Sequence, residues 1–350
     1  MSEFQIEIIK GINNKNIGKN IMVSPLSIYH ILSLTSNGAA NKTLSEMIQT
    51  LGHKDLSELN KNNTLISSSI SKLSTIEMAN AIFTKFKPED AFIKSAEMYK
   101  STIDKLISAA QVNKWCSDNT HKKIDKIIDD ISGVLMILIN AIYFKGTWKK
   151  KFDEKLTTEQ IFFNFYKEEK KTLFMKMTTK LRYYENDNIQ TVELDYNKDN
   201  LSALIILPKT EKDINTYIKS FDKKIYDEIN QGLNEVKVVL SLPKFEIKYE
   251  GELKEILISL GMKEAFSNAD FSVMKKEKDI FISRVIHKTY IKVDEQGTEA
   301  AAVTAVVMKR CMRPDPTVIM NVNHPFLFII RSGNLPARND IIFFSKVESL

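Results

Sequence analysis

Cysteine, glycine and proline are all scarce in this chain. Its two cysteines, Cys116 and Cys311, lie far apart in 350 residues, and neither a disulfide framework nor a thiolate metal site can be read from them. Eleven glycines and eight prolines are spread thinly, so no flexible linker divides the chain, and there is no internal repeat or low-complexity tract. There is no Gly-rich phosphate loop, and no His-Glu-x-x-His, Cys-x-x-Cys or Gly-x-Ser-x-Gly pattern. Nucleotide-dependent, zinc and hydrolase chemistry therefore have no foothold, and no cofactor or metal is expected. The opening residues, MSEFQIEIIKGINNKN, lack the apolar stretch of a secretory leader. The expected compartment is the cytoplasm, with leaderless export as the alternative. Sequons beginning at Asn41, Asn62 and Asn200 carry little weight without a leader.

What is present is an ordinary globular balance: 43% hydrophobic residues, 27% charged and a net charge of +6. Lysine clusters such as Lys149–Lys151 are interspersed with Glu and Asp, and no basic face interleaved with aromatics stands out. A nucleic-acid partner is not expected. The longest apolar run, Gly133 to Trp148, reads as a buried strand, so no membrane partner is expected either. Length alone suggests two domains, because single cores stop growing near ~250–300 residues.

The first third reads as helical. Ser24 and Pro25 suit the cap and first turn of a helix that stops at Asn37-Gly38. Thr43 and Glu46 have the spacing of a capping box for a second helix, ending at Leu51-Gly52. Residues 75–86 read as a strand, and 92–107 and 111–130 as amphipathic helices. The second half is strand-rich, in runs such as LSALIILP, VKVVLSLPKFEIK and PFLFIIR, with helices expected at 213–230 and 251–260. Helices first and strands later point to an α+β fold.

Candidate chemistry is thin. Of the five histidines, His287 lies in the strand-like run FISRVIHKTYIKV, where a lone histidine reads first as a satisfied core residue. Cys311 follows Lys309 and Arg310, whose charge would favour a thiolate, but nothing indicates a partner for a Cys–His nucleophile. The unusual stretch is DEQGTEAAAVTAVV, residues 294–307, a run of small side chains that suits neither a packed core nor a membrane span.

Taken together, several blocks carry a family resemblance. NIMVSPLSIYHILSLTSNGAANKTLSEMIQTLG resembles the N-terminal helical block of serpins, the serine protease inhibitor family. LINAIYFKGTWKKKF is similar to their central strand and its turn, and LSLPKFEIKYEGELKEILISLGMKEAFSNADFS to a later strand and helix. IHKTYIKVDEQGTEAAAVTA resembles the serpin hinge, and NHPFLFII the strand after the reactive loop. The blocks occur in family order over nearly the whole chain, and the missing leader suggests an intracellular, leaderless, viral or parasite-type member.

The resemblance implies one domain over residues 1–350, with three β-sheets, about eight to nine helices and an exposed reactive-centre loop near 295–320. It replaces the two-domain guess. It implies an inhibitor without turnover, not an enzyme, expected as a monomer whose partner is a target serine protease held as a covalent acyl-enzyme. The cleaved loop then inserts as a new central strand, a recognition mode in which serpin insertion is itself the standard example. The hinge is implied at Glu295, Gly297, Thr298, Glu299, Ala300, Ala301, Ala302 and Thr304. Alternation along a strand puts Thr298, Ala300, Ala302, Thr304 and Val306 toward the core and Glu299, Ala301, Val303 and Ala305 outward. Ser24, Ser27, Asn140 and His287 match the family's polar shutter beneath the parting strands, and Trp148 the tryptophan near the loop's entry point.

Counting Glu295 as one, Arg310 is the sixteenth residue and Cys311 the seventeenth. The family's usual spacing selects Cys311–Met312 as the cleaved bond, and the minority spacing selects Arg310–Cys311. Side-chain chemistry favours Arg310, because a trypsin-like pocket pairs a carboxylate with guanidinium. Cysteine or methionine would suit a chymotrypsin- or cathepsin G-like pocket. A non-inhibitory serpin, acting as chaperone or carrier, is the competing reading. Three departures from the family pattern stand out: the region between 52 and 75 looks short, as if a helix were truncated, Ser345 replaces the usual Gly, and Val303 is bulkier than usual.

Overall fold

The segment Pro25–Ser36 is apolar or small all round except at His30, and every one of its residues is buried. A helix of that kind has no wet face and must run through the core. Ser24 caps it by accepting from Ser27 N, with Pro25 at the first turn, as the sequence suggests. The hydroxyls of Ser33, Thr35 and Ser36 bond back to carbonyls one turn earlier, so burial leaves none of these three unpaired.

The computed structural model describes residues 1–209, 213–277, 279–298, 317–335 and 340–350. Among these, nine α-helices occur: α1 (Glu3–Asn14), α2 (Pro25–Ser36), α3 (Asn41–Thr50), α4 (Leu56–Ile70), α5 (Asp90–Met98), α6 (Ala109–Asp118), α7 (Ile214–Ser220), α8 (Lys223–Gly232) and α9 (Lys254–Ser259). The strands are β1 (Ile21–Val23), β2 (Ile76–Thr84), β3 (Thr102–Lys105), β4 (Met136–Phe144), β5 (Gly146–Thr147), β6 (Thr158–Phe163), β7 (Glu169–Glu185) and β8 (Ile189–Asp195). They continue with β9 (Leu201–Pro208), β10 (Asn234–Pro243), β11 (Phe245–Glu252), β12 (Arg284–Asp294), β13 (Gly297–Thr298), β14 (Thr317–Asn321), β15 (Phe326–Ser332) and β16 (Ile341–Val347).

The fold is α+β. A nine-stranded network runs β1-β16-β15-β9-β8-β7-β10-β14, with β6 also on β7. The second network has seven strands, β3-β2-β4-β12-β13-β5, with β11 also on β12. Two of the three expected sheets are thus joined through β7, which is seventeen residues long. Its residues 169–174 pair with β6, its residues 182–185 with β8, and β10 follows it from 174 to 183. Among the described residues, no helix is long and apolar enough to cross a membrane, and no cluster of His, Cys, Asp and Glu could hold a metal ion.

Several sequence expectations need correction. The helix expected at 92–107 ends at Met98, and 102–105 form a strand; Lys100 between them has a left-handed φ of 49°. The helix expected at 111–130 stops at Asp118, and His121 and Lys122 take φ of 50° and 60°. Asn113 reaches from α6 to accept from the backbone of Ile127 and Ile128, holding that segment in irregular form. Between residues 52 and 75, the region that looks short for the family, lies α4, fifteen residues capped by Asp55. Thr43 and Glu46 do not cap their own helix. Thr43 Oγ1 accepts from Asp270 N, and Glu46 accepts from Lys263 N and Glu264 N, all at 2.8 Å.

β4 reads MILINAIYF and is buried on both faces, as a central strand must be. One face lies over the main core, which includes α2. The other meets a smaller apolar cluster built from Val112 and Cys116 of α6 together with Ile124, Ile127, Ile137, Ile139 and Ile286. Helix α6 and the segment after it therefore roof the middle of the seven-stranded sheet.

Candidate functional site

The middle of this sheet is a seam. β12 pairs antiparallel with β11 on one edge and parallel with β4 on the other, from Arg284↔Ile137 to Tyr290↔Tyr143. Beyond Tyr290 the pairing with β4 stops. The chain turns at Glu295-Gln296 and comes back as β13, which pairs antiparallel with β12 on one side and with β5 on the other. The seam is closed along its length and filled at its mouth by Gly297 and Thr298.

That mouth is tightly built. Gly297 has a φ of +152°, and a Cβ there would lie 2.1 Å from Gly146 O, so only glycine fits. Thr298 is fully buried, and its hydroxyl is 2.8 Å from Tyr196 Oη. Tyr196 stacks on Trp148 at 4.5 Å between ring centroids, and Trp148 donates from Nε1 to Asp294 O at 3.0 Å. Trp148 N also donates to Gln296 O at 2.9 Å. The buried Glu295 carboxylate accepts from Thr157 Oγ1 at 2.7 Å and from Lys244 Nζ at 2.8 Å. Burial alone would raise its pKa; the bonds from Lys244 and Thr157 outweigh that and hold it below the usual carboxylate range.

Lower in the seam lies a polar cluster. His287 of β12, Asn140 of β4 and Asn80 of β2 are successive register partners across three strands. Ser24 N donates to His287 Nε2 at 3.0 Å, and His287 Nδ1 is 2.6 Å from Asn140 Oδ1. Ser27 Oγ also donates to Asn140 Oδ1, at 2.6 Å. Asn140 Nδ2 donates to Asn80 Oδ1, and Asn80 Nδ2 is 3.1 Å from His30 Nδ1. His30 Nε2 ends the chain on Ser67 Oγ of α4, at 3.1 Å. Both histidines are fully enclosed, and burial lowers His287 to about 3 and His30 to about 4. They are neutral at pH 7 and unsuited to acid–base catalysis there.

The structure brings Ser24, Ser27, Asn140 and His287 into one network. Trp148 is not part of it; it sits at the mouth, beside Glu295, Gly297 and Thr298. Sequence reasoning missed Asn80, His30 and Ser67 in the network and Tyr196, Thr157 and Lys244 at the mouth. Glu299, Ala300, Ala301, Ala302, Thr304, Arg310, Cys311 and Met312 lie outside the described residues. Cys116 lies on the buried face of α6, where burial pushes its thiol up to about 12, which leaves it unreactive as a nucleophile.

A parallel β4–β12 seam, closed along its length and capped at one end by a short β-hairpin over Trp148 and Tyr196, is the central feature of the seven-stranded sheet. The family model for serpins (serine protease inhibitors) matches residues 1–350, and the chain belongs to that family. It is 32% identical to the leukocyte elastase inhibitor of Xenopus laevis, over 99% of this chain and 98% of that one. It is equally 32% identical to serpin B8 of Homo sapiens, over 99% of this chain and 97% of that one. Among solved structures it resembles the thermophilic serpin tengpin in its native state, with a TM-score of 0.90 and 33% identity, over 99% of this chain and 92% of that one.

Proposed function

We propose that this chain inhibits serine proteases as a suicide substrate, trapping the acyl-enzyme by inserting its cleaved loop into the β4–β12 seam. The observation that supports this is register. Thr298 pairs with Val293 on one side and Gly146 on the other. Continued down the seam, the same register brings Val307 between Arg284 and Ile137, which are already partners in the closed sheet. The two edges therefore accept one straight strand without slippage. Thr304 would arrive between His287 and Asn140, and Ala302 between Thr289 and Ile142. Only small core-facing side chains pass such a gap without overpacking.

The same geometry supplies the driving force. An inserted strand would replace one parallel pairing with two antiparallel ones, and antiparallel ladders are slightly more stable per residue. The target protease's serine attacks the carbonyl of the residue before the scissile bond. An ester forms, and the amine of the next residue leaves with a proton. Inhibition requires insertion to outrun attack by water on that ester. The chain itself turns nothing over, and no cofactor or metal has a step in this scheme.

The scissile bond on this reading is Arg310–Cys311, which selects trypsin-like targets; Cys311–Met312, with a chymotrypsin- or cathepsin G-like target, is the alternative. Incubation with a trypsin-like protease should give an SDS-resistant complex, abolished in Arg310→Ala and kept in Cys311→Ala. Complete cleavage of the loop by every protease tried, with free active protease recovered, would refute inhibition.

A further inference from the structure

The polar cluster under the seam has a direction, and one backbone group dictates it. Ser24 N can only donate, so His287 Nε2 must accept and the ring must carry its proton on Nδ1. That proton requires an oxygen opposite it, which fixes the Asn140 amide with Oδ1 toward the seam. Asn140 Nδ2 then requires an oxygen from Asn80, and Asn80 Nδ2 requires an acceptor. His30 supplies that acceptor through a bare Nδ1, which places its own proton on Nε2, toward Ser67. The result is one uniform run of donors, from the cap of α2 through β12, β4 and β2 to α4. In such a run each bond polarises the next.

One of the side-chain links, His287 to Asn140, crosses the gap between β12 and β4. When the strands part, the Ser24 and His287 end no longer orients Asn140. The Ser27 hydroxyl on its oxygen and the far end through Asn80 still do. We propose that His30 is a positioning residue that keeps the seam shut, holding the Asn140 carbonyl oxygen against His287 Nδ1–H through Asn80. A proton added to His30 Nδ1 would face the Asn80 amide donor. Relieving that clash reverses both amides and leaves two donors opposed across the seam. The groups recorded against His30 are Ser67 of α4, Asn80 of β2 and the Tyr99 ring after α5. Tyr99 is the titratable one, and burial raises it far above neutrality. No charged side chain is recorded in contact with His30 among the described residues.

The inference rests on the insertion reading, and its test separates the two. In the native chain, imidazole nitrogen NMR should show the Nε2–H tautomer for His30 and the Nδ1–H tautomer for His287. The reverse assignment at either ring overturns the proposal whatever the function. Uptake of a synthetic peptide of residues 298–309 is then followed from pH 7 to pH 4.5 by the rise in melting temperature. The native chain should take up peptide about threefold faster at the acid end, because one lost seam hydrogen bond is worth about tenfold and His30, at about 4, is about one-quarter protonated at pH 4.5. His30→Asn keeps an acceptor at the Nδ1 position without titrating, so it should match the native rate at pH 7 and lose the acid acceleration. Acceleration retained in His30→Asn would make His287 the sensor and overturn the role of His30. Failure of the native chain to take up peptide at any pH would overturn the insertion reading, and this role with it.

Discussion

Replacing Thr298 by arginine should convert an inhibitor into a substrate. Thr298 ends β13 and is fully buried between β12 and β5, with Tyr196 Oη 2.8 Å from its hydroxyl. The rings of Tyr196 and Trp148 leave no water for a guanidinium there. An uncompensated buried charge costs about 3–5 kcal/mol. Tyr196 would also lose its partner, adding about 1–3 kcal/mol if it stays dry. The intact chain escapes this cost by releasing residues 297–298 from the sheet, so about 3–4 kcal/mol of it stands in the barrier to insertion, which slows by roughly 10²–10³-fold. Hydrolysis of the acyl-enzyme is unaffected, so the partition moves almost wholly to cleavage. The assay is gel densitometry of complex against cleaved inhibitor, at a fixed ratio of a protease that the native chain traps. Thr298→Ser keeps the hydroxyl and should still trap. If Thr298→Arg forms as much complex as the native chain, the insertion register is wrong.

Three further outcomes follow from the same geometry. Gly297→Ala places a Cβ against Gly146 O and should loosen the hinge hairpin, costing about 1–3 kcal/mol in thermal stability and reducing complex yield; unchanged values would contradict the fit at the mouth. The Ser345 hydroxyl is fully buried and finds no hydrogen-bond partner among the described residues, so Ser345→Ala should stabilise the chain by about 1 kcal/mol, measured as a higher urea midpoint. His30 and His287 bind protons far less readily when folded, at about 4 and about 3 against 6.5 unfolded. Their contribution to stability is therefore full above about pH 6.5 and is lost as pH falls toward 4 for His30 and toward 3 for His287, with a slope of about 2–3 kcal/mol per pH unit near pH 5. Urea midpoints that stay level between pH 6.5 and pH 5 would exclude that protonation-linked loss.

The parts legible in the sequence were those encoded by local pattern. Continuous apolar runs marked β4 and β9, and Ser24-Pro25 marked the start of α2. Asn140 and His287 were found because each sits in a distinctive block, yet their meeting is a property of the parallel seam and not of either block. Asn80, His30 and Ser67 gave no such signal. Each is an ordinary polar residue in its own element, and only the register of β2 on β4 and the docking of α2 and α4 align them. Helix ends at Met98 and Asp118 were overrun because amphipathic spacing continues past them, whereas left-handed residues such as Lys100 and His121 break the backbone. Thr43 and Glu46 show the same limit from the other side. Their spacing suits a capping box for α3, but tertiary contact gives them the backbone donors of Lys263, Glu264 and Asp270 instead.

Insertion itself is tested most directly by cutting the loop and heating the product. A protease that cleaves near Arg310 without being trapped should leave a two-fragment protein with the loop as a new strand between β4 and β12. Its melting temperature should rise sharply over that of the intact chain, and it should refuse the synthetic peptide of residues 298–309. A cleaved protein that melts at the same temperature as the intact one and still accepts the peptide would contradict the account.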